Sequence, residues 1–167
     1  MNSRVPADTE KSGGAYRTLC GQMAALLERE NDWVANLANA AALLADVLPH
    51  INWVGFYRLQ GGELLLGPFQ GKPACLHIAL GKGVCGTAVR ENATQLVPDV
   101  HRFSGHIACD AASVSELVIP LRRGGRVVGV LDIDSPVPGR FSGEEARALE
   151  KVAEILSPKC TWPDSLG

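Results

Sequence analysis

The sequence contains no run of lysines and arginines, no apolar stretch of membrane-spanning length, and no C-x-x-C or H-E-x-x-H spacing. Each absence removes a class of function. Nucleic-acid binding rests on clustered positive charge, and a chain with net charge −2 and no basic run has no such footprint. A helix that crosses a bilayer needs about 20 consecutive apolar residues, and none occur. No metal is expected, although His77, His101 and His106 lie near Cys75 and Cys109 in sequence, because none of the usual zinc-ligand spacings is present. The opening residues, MNSRVPADTEKSGG, lack the apolar segment of a signal peptide. They read as a flexible tail over residues 1–14, and the protein as cytoplasmic.

What remains is a chain of 167 residues with 46% hydrophobic and 20% charged residues, enough for one well-buried domain. That domain is expected over residues 15–156, with a loose tail over 157–167 that carries two prolines and Cys160. Five cysteines in a reducing compartment point to thiol chemistry rather than to a disulfide framework, and the odd number argues against full pairing. Three of them, Cys75, Cys85 and Cys109, fall in one stretch between an aromatic segment at Asn52 to Tyr57 and the pair Asp132 and Asp134. A thiolate is a soft, strong nucleophile that passes through sulfenic acid to a disulfide when a second cysteine is in reach. Cys20, on a predicted helix, reads as core packing and Cys160 as an exposed bystander.

The pattern of apolar residues predicts an α+β domain. Leu19, Met23, Leu26 and Leu27 recur at helical spacing over Tyr16 to Glu30, and an Ala/Leu-rich run from Trp33 to Leu48 follows Asp32 as N-cap. Asn52 to Leu59 reads as a strand, Gln60-Gly61-Gly62 as a turn and Glu63 to Gly67 as its partner. Cys75 to Leu80 and Thr94 to Val97 are shorter strands either side of a helix at Gly83 to Glu91. Val100 to Ala112 is an irregular loop. Glu116 to Leu121 and Arg126 to Ile133 form a hairpin around Gly124-Gly125, and Ser142 with Glu145 forms a capping box for a last helix from Gly143 to Leu156.

Strand parity then places chemistry. Asp132 and Asp134 project to one face, as do Glu116 and Val118 on the neighbouring strand. An even connection at Gly124-Gly125 drives the aspartates among Ile119 and Leu117 without partners, which is costly. An odd connection sets Glu116 opposite Asp132 and leaves Leu117, Ile119, Leu121, Val127, Leu131 and Ile133 on an apolar face, and it is the register expected. It gathers three carboxylates, whose mutual repulsion raises at least one pKa and yields a proton donor near neutral pH. On the first strand, Trp53, Gly55 and Tyr57 share a face, with Gly55 leaving a gap between aromatic walls. Such a pair is core more often than ligand wall, by about two to one, and only its convergence with the cysteines lifts it. Gly81, Gly83 and Gly86 satisfy G-x-G-x-x-G, but the helix that follows is too short for a dinucleotide crossover.

The runs NWVGFY, LGPFQGKPAC, GKGVCGT, GHIACDAAS and GVLDIDSP, in this order, resemble the free methionine-(R)-sulfoxide reductases, enzymes built on a single GAF domain. The resemblance spans roughly Asn52 to Ser135. It implies a central antiparallel sheet with helices packed on one side and the ligand pocket on the other. It implies that Cys109 attacks the sulfoxide sulfur and becomes a sulfenic acid. Cys75 and Cys85 match the cysteines that resolve it, Cys75 being the first choice and Cys85 relaying or substituting. The disulfide would be recycled by thioredoxin, with no cofactor. Trp53 and Tyr57 match the walls around the methyl-sulfoxide end, and Glu116, Asp132 and Asp134 the acidic residues that hold substrate, with Glu116 or Asp134 as proton donor. Backbone N–H groups at Gly71 to Ala74 or Ser113 to Ser115 are candidates for the substrate carboxylate. A homodimer is also implied. The alternative is a GAF module that senses a small molecule without turnover, for which the three cysteines have no use.

Overall fold

In the computed structural model the described residues are 7–107 and 109–163, with side chains from residue 13 onward. Six strands form one antiparallel sheet in the order β3-β2-β1-β6-β5-β4, where β1 is Trp53–Gln60, β2 Glu63–Gln70, β3 His77–Ala79, β4 Gln95–Val97, β5 Ser115–Arg123 and β6 Arg126–Ser135. The hairpins β1–β2 and β5–β6 turn on Gly61-Gly62 and Gly124-Gly125. All four glycines have positive φ, between +57° and +81°, the geometry that matches the right-handed twist of the flanking strands.

Three helices, α1 (Ala7–Leu26), α2 (Trp33–Val47) and α4 (Gly143–Leu156), cover one face of the sheet. Their apolar stripes, which include Leu19, Met23, Leu37, Leu44, Leu149 and Leu156, close over Val54, Phe56, Leu117, Ile119, Leu131 and Ile133. The N-caps act as the sequence indicates. Asp32 accepts from the Ala35 N–H at 2.8 Å, and Ser142 accepts from the Glu145 N–H at 3.1 Å. The Glu145 carboxylate does not complete its box. It takes the Tyr16 hydroxyl of α1 and, at 2.7 Å, the Arg140 guanidinium, so this first-turn residue of α4 ties α1 to α4.

The fourth helix, α3 (Gly83–Glu91), lies on the opposite face. Three helices thus pack on one side of the sheet with the pocket on the other, as expected, and the short α3 lies beside the pocket. With Ile78, Val97, Val100 and the inward residues of β1, β5 and β6, α3 forms a second, smaller apolar cluster beside the pocket. Gly81, Gly83 and Gly86 serve this packing. The Gly81 N–H donates to the Gly86 carbonyl at 2.9 Å, and a Cβ on Gly86 would meet the Gly81 nitrogen at 3.0 Å. The glycine pattern is thus a tight strand-to-helix turn, and the helix it opens has nine residues.

Described residues within both expected tails take part in the structure, while residues 1–6 lie outside the described ones. α1 begins at Ala7, inside the stretch expected as a tail. At the other end Trp162 stacks on Trp33 at 6.5 Å, Asn36 Nδ2 donates to the Lys159 carbonyl at 2.9 Å, and the Thr161 N–H donates to the Asn31 carbonyl at 2.7 Å. Cys160 is buried rather than exposed, and burial pushes its thiol up to about 12. Residues 164–167 of the expected tail lie outside the described residues. No described helix is long and apolar enough to cross a membrane.

Candidate active site

The site is built on the register of three central strands. Across β1, β6 and β5 the pairs run Trp53–Asp134–Glu116 in one row and Gly55–Asp132–Val118 in the next. Glu116, Asp132 and Asp134 therefore share one face, as parity requires, while Leu117, Leu131 and Ile133 share the other. Two details differ from the expected register. The Gly124-Gly125 turn is an even, two-residue connection, and the parity is restored by a β-bulge, since Leu121 pairs with Gly129 but Arg122 pairs with Val127. The extra residue, Val128, packs on the helical side and Val127 on the pocket side, reversing the expected place of Val127. As a result Glu116 faces Asp134 rather than Asp132.

Gly55 leaves no gap. A Cβ there would collide with Phe69 and lie 2.7 Å from the Trp53 ring, so its missing side chain lets Trp53 fold flat onto Phe69, with ring centroids 5.2 Å apart. The Trp53 indole N–H donates to the Lys72 carbonyl at 3.1 Å, and the Tyr57 hydroxyl donates to the Cys75 carbonyl at 3.0 Å. The two aromatic walls thus also hold the loop that carries Cys75. Together with Ile78, Val84 and the three acidic residues, they line a narrow pocket of about 40 Å³.

The sulfurs divide into two classes. Cys75 and Cys109 are joined in a disulfide at the pocket, with Cα atoms 5.6 Å apart. Cys85 is a free thiol buried on the first turn of α3, its Sγ 4.0 Å from Glu116 Oε1. Burial first, and then the charges of Asp132 and Glu116, hold that thiol well above its ordinary range. Burial likewise pushes all three carboxyls up, reinforced by Asp134 for Glu116, by Glu116 for Asp132 and by Asp132 for Asp134. Among the described residues, Asp132 Oδ1 is buried without a hydrogen-bond partner. The donor atoms of Cys85, Glu116 and Asp132 lie within 4.8 Å of one another, close enough to share an ion.

The histidines behave separately. His77 pairs with Glu63 at 2.8 Å on the edge of the sheet, and His101 is exposed. His106 stands 3.9 Å from Glu116, and burial, followed by His101, lowers its pKa. Sequence reasoning missed the side-chain roles of Asn52, Asp110 and Ser113. Asn52 Nδ2 donates to Asp110 Oδ2 at 3.2 Å and to Ser113 Oγ at 3.1 Å, which fastens the loop after Cys109 to the start of β1. All three stand inside the runs NWVGFY and GHIACDAAS, but no periodicity singles them out. The N–H groups of Ser113 and Val114 donate to the carbonyls of Asp110 and Ser135.

A family model described as GAF domain matches residues 31–158. The free methionine-R-sulfoxide reductase of Escherichia coli K12 is 53% identical over 141 residues, 84% of this chain and 86% of that protein. The enzyme of the same name from Saccharomyces cerevisiae is 43% identical over 145 residues, 82% of this chain and 81% of that protein. The solved structure of fRMsr of Staphylococcus aureus in complex with substrate aligns with a TM-score of 0.83 at 53% identity, covering 86% of this chain and 94% of that one. A free methionine-R-sulfoxide reductase from Neisseria meningitidis, also with its substrate, aligns at 0.84 and 44% identity over 86% and 87% of the two chains. With this sheet, this pocket and these cysteines, the chain belongs to the GAF-domain family and, within it, to the free methionine-R-sulfoxide reductases.

Proposed function

We propose that the protein reduces free L-methionine-(R)-sulfoxide to methionine through Cys109, Cys75 and a dithiol reductant such as thioredoxin. The observation that carries this reading is the Cys75–Cys109 disulfide set against a pocket of aromatic walls and buried carboxyls. A bond between these two sulfurs is the oxidised end state of such a reaction. The Cys109 thiolate attacks the sulfoxide sulfur, the oxygen passes to the cysteine, and methionine leaves with Cys109 as sulfenic acid. The Cys75 thiol displaces that oxygen as water and closes the disulfide. A dithiol then takes over the disulfide, restoring both thiols.

Thiolate attack on a sulfoxide needs a proton or a strong hydrogen bond on the oxygen. Glu116 fits this better than Asp134, because it is buried and flanked by Cys85 and His106. Asp134, partly exposed at the pocket, and Asp132, with its unpartnered oxygen, suit the α-ammonium of a free amino acid. A methionine within a peptide has no such charge to offer, so the free form is preferred. Cys85 takes no part in the disulfide.

The test follows NADPH consumption with thioredoxin and thioredoxin reductase. Free L-methionine-(R)-sulfoxide, its S epimer and a peptide-bound form are offered to the wild type and to Cys109→Ser. Turnover of the free R epimer alone, abolished in the variant, is the expected result. Binding of the sulfoxide without turnover by the wild type refutes the reductase reading and leaves a sensor.

A further inference from the structure

The Cys75–Cys109 bond leaves Cys85 as a buried free thiol of the pocket. Cys85 is 4% exposed and sits against Glu116 and Asp132, which are themselves 6% and 7% exposed. A thiol is a weak hydrogen-bond partner, so it adds little to a seat for an ammonium group, which oxygens alone serve well. A sulfur beside two carboxylates is instead a mixed donor set for a borderline-soft divalent cation. Two further observations point the same way. Asp132 Oδ1 is buried and unpartnered, and Asp132 lines the pocket, where none of the described lining residues is Lys or Arg. His106 Nε2 stands 3.9 Å from the outer oxygen of Glu116, where a short approach gives the outer-shell contact that orients a ligating carboxylate.

We propose that the reduced, substrate-free pocket binds Zn²⁺ through the Cys85 thiolate, Glu116 and Asp132, with the fourth position open to the pocket. Tetrahedral zinc places one sulfur and two oxygen ligands about 3.3 to 3.5 Å apart, given bonds of about 2.0 Å to oxygen and 2.3 Å to sulfur. Donor atoms already within 4.8 Å need only small side-chain rotations to reach that geometry. The proton of Cys85, and any proton on the two carboxyls, leave to solvent, and no electron changes hands. Hard cations such as Mg²⁺ and Ca²⁺, which prefer six or more oxygens, are excluded by the sulfur and by the small number of donors. The metal site does not depend on the reductase reading. Only its consequence does: the ion occupies the seat of the substrate ammonium, so Zn²⁺ and sulfoxide exclude one another and zinc inhibits turnover.

The experiment uses the full chain carrying Cys75→Ser and Cys109→Ser, so that Cys85 is the one thiol left at the pocket. Titration with Co²⁺ is followed by the sulfur-to-cobalt charge-transfer absorption, and Zn²⁺ is then added as competitor. A band saturating at one Co²⁺ per chain and bleached by Zn²⁺ is expected. Adding Cys85→Ser removes the band and weakens Zn²⁺ binding by more than about 100-fold, since loss of a direct ligand exceeds the effect of losing an outer-shell contact. Asp132→Asn, which leaves every thiol in place, weakens binding in the same direction. The proposal is overturned if the band is absent with Cys85 present, or survives Cys85→Ser and so belongs to Cys20 or Cys160. Calorimetric binding of Zn²⁺ to the reduced wild type, with and without L-methionine-(R)-sulfoxide, reads the competition without altering any residue. Because none of these readouts needs turnover, a failed metal site and a failed reductase reading give different results.

Discussion

The β5–β6 hairpin presents two chemistries on its two faces, alternating residue by residue. Leu131 and Ile133 are sealed under three helices, whereas Asp132 and Asp134 face the pocket from the same strand. The helical face is packed to exclude water and has no polar work to do. The pocket face buries acidic groups at the expense of stability, because their charged forms have lost water and the described lining residues include no Lys or Arg. One strand thus separates the residues that hold the fold from those that use it by a single peptide unit.

The sharpest way to expose this contrast is Glu116→Gln, which removes the acidic proton but keeps the shape. Turnover of free methionine sulfoxide is expected to fall about 10²- to 10⁴-fold, the usual worth of a positioned acid, while the melting temperature holds or rises. Leu131→Ala inverts the pattern. It is expected to cost about 2 to 5 kcal/mol in denaturant unfolding, with turnover per folded molecule little changed.

A pH series compares the faces more finely. The pocket carboxyls have folded-state pKa values above their unfolded ones, so their favourable contribution is full below the unfolded value of about 4 and is lost as pH rises through the folded values. The ligand-free protein is expected to melt at a higher temperature at pH 5 than at pH 8. Asp132→Asn should narrow that difference and stabilise the protein at pH 8; a wider gap would contradict the assignment. The smallest expected effect lies on the helical side, where Ser142→Ala removes the α4 cap and costs about 1 kcal/mol with no change in pH dependence.

Much of this division was legible in the sequence because the side-chain period of a strand is two. Parity separated Glu116, Asp132 and Asp134 from Leu117, Leu131 and Ile133, and the caps at Asp32 and Ser142 marked two helix starts. The failures have specific causes. The bulge at Val128 is invisible to a period count, so the row partner of Glu116 came out two residues off. Gly55 read as empty space because its occupant, Phe69, arrives from the paired strand. Cys160 read as exposed because the burial of its segment depends on Trp33 and Asn36, over 100 positions earlier. Asn52 was silent for a similar reason, since its partners Asp110 and Ser113 are neighbours only after folding.

The Cys75–Cys109 bond couples loops 34 positions apart in the chain and occupies both sulfurs at once. On the proposed reading, a molecule in this state cannot begin a new cycle until a reductant has visited. The sulfoxide and the reductant therefore never need to be bound together, and the chain stores two electrons between the two encounters. Initial rates should reflect that memory as ping-pong kinetics, with parallel rather than intersecting double-reciprocal lines when one reactant is varied against the other.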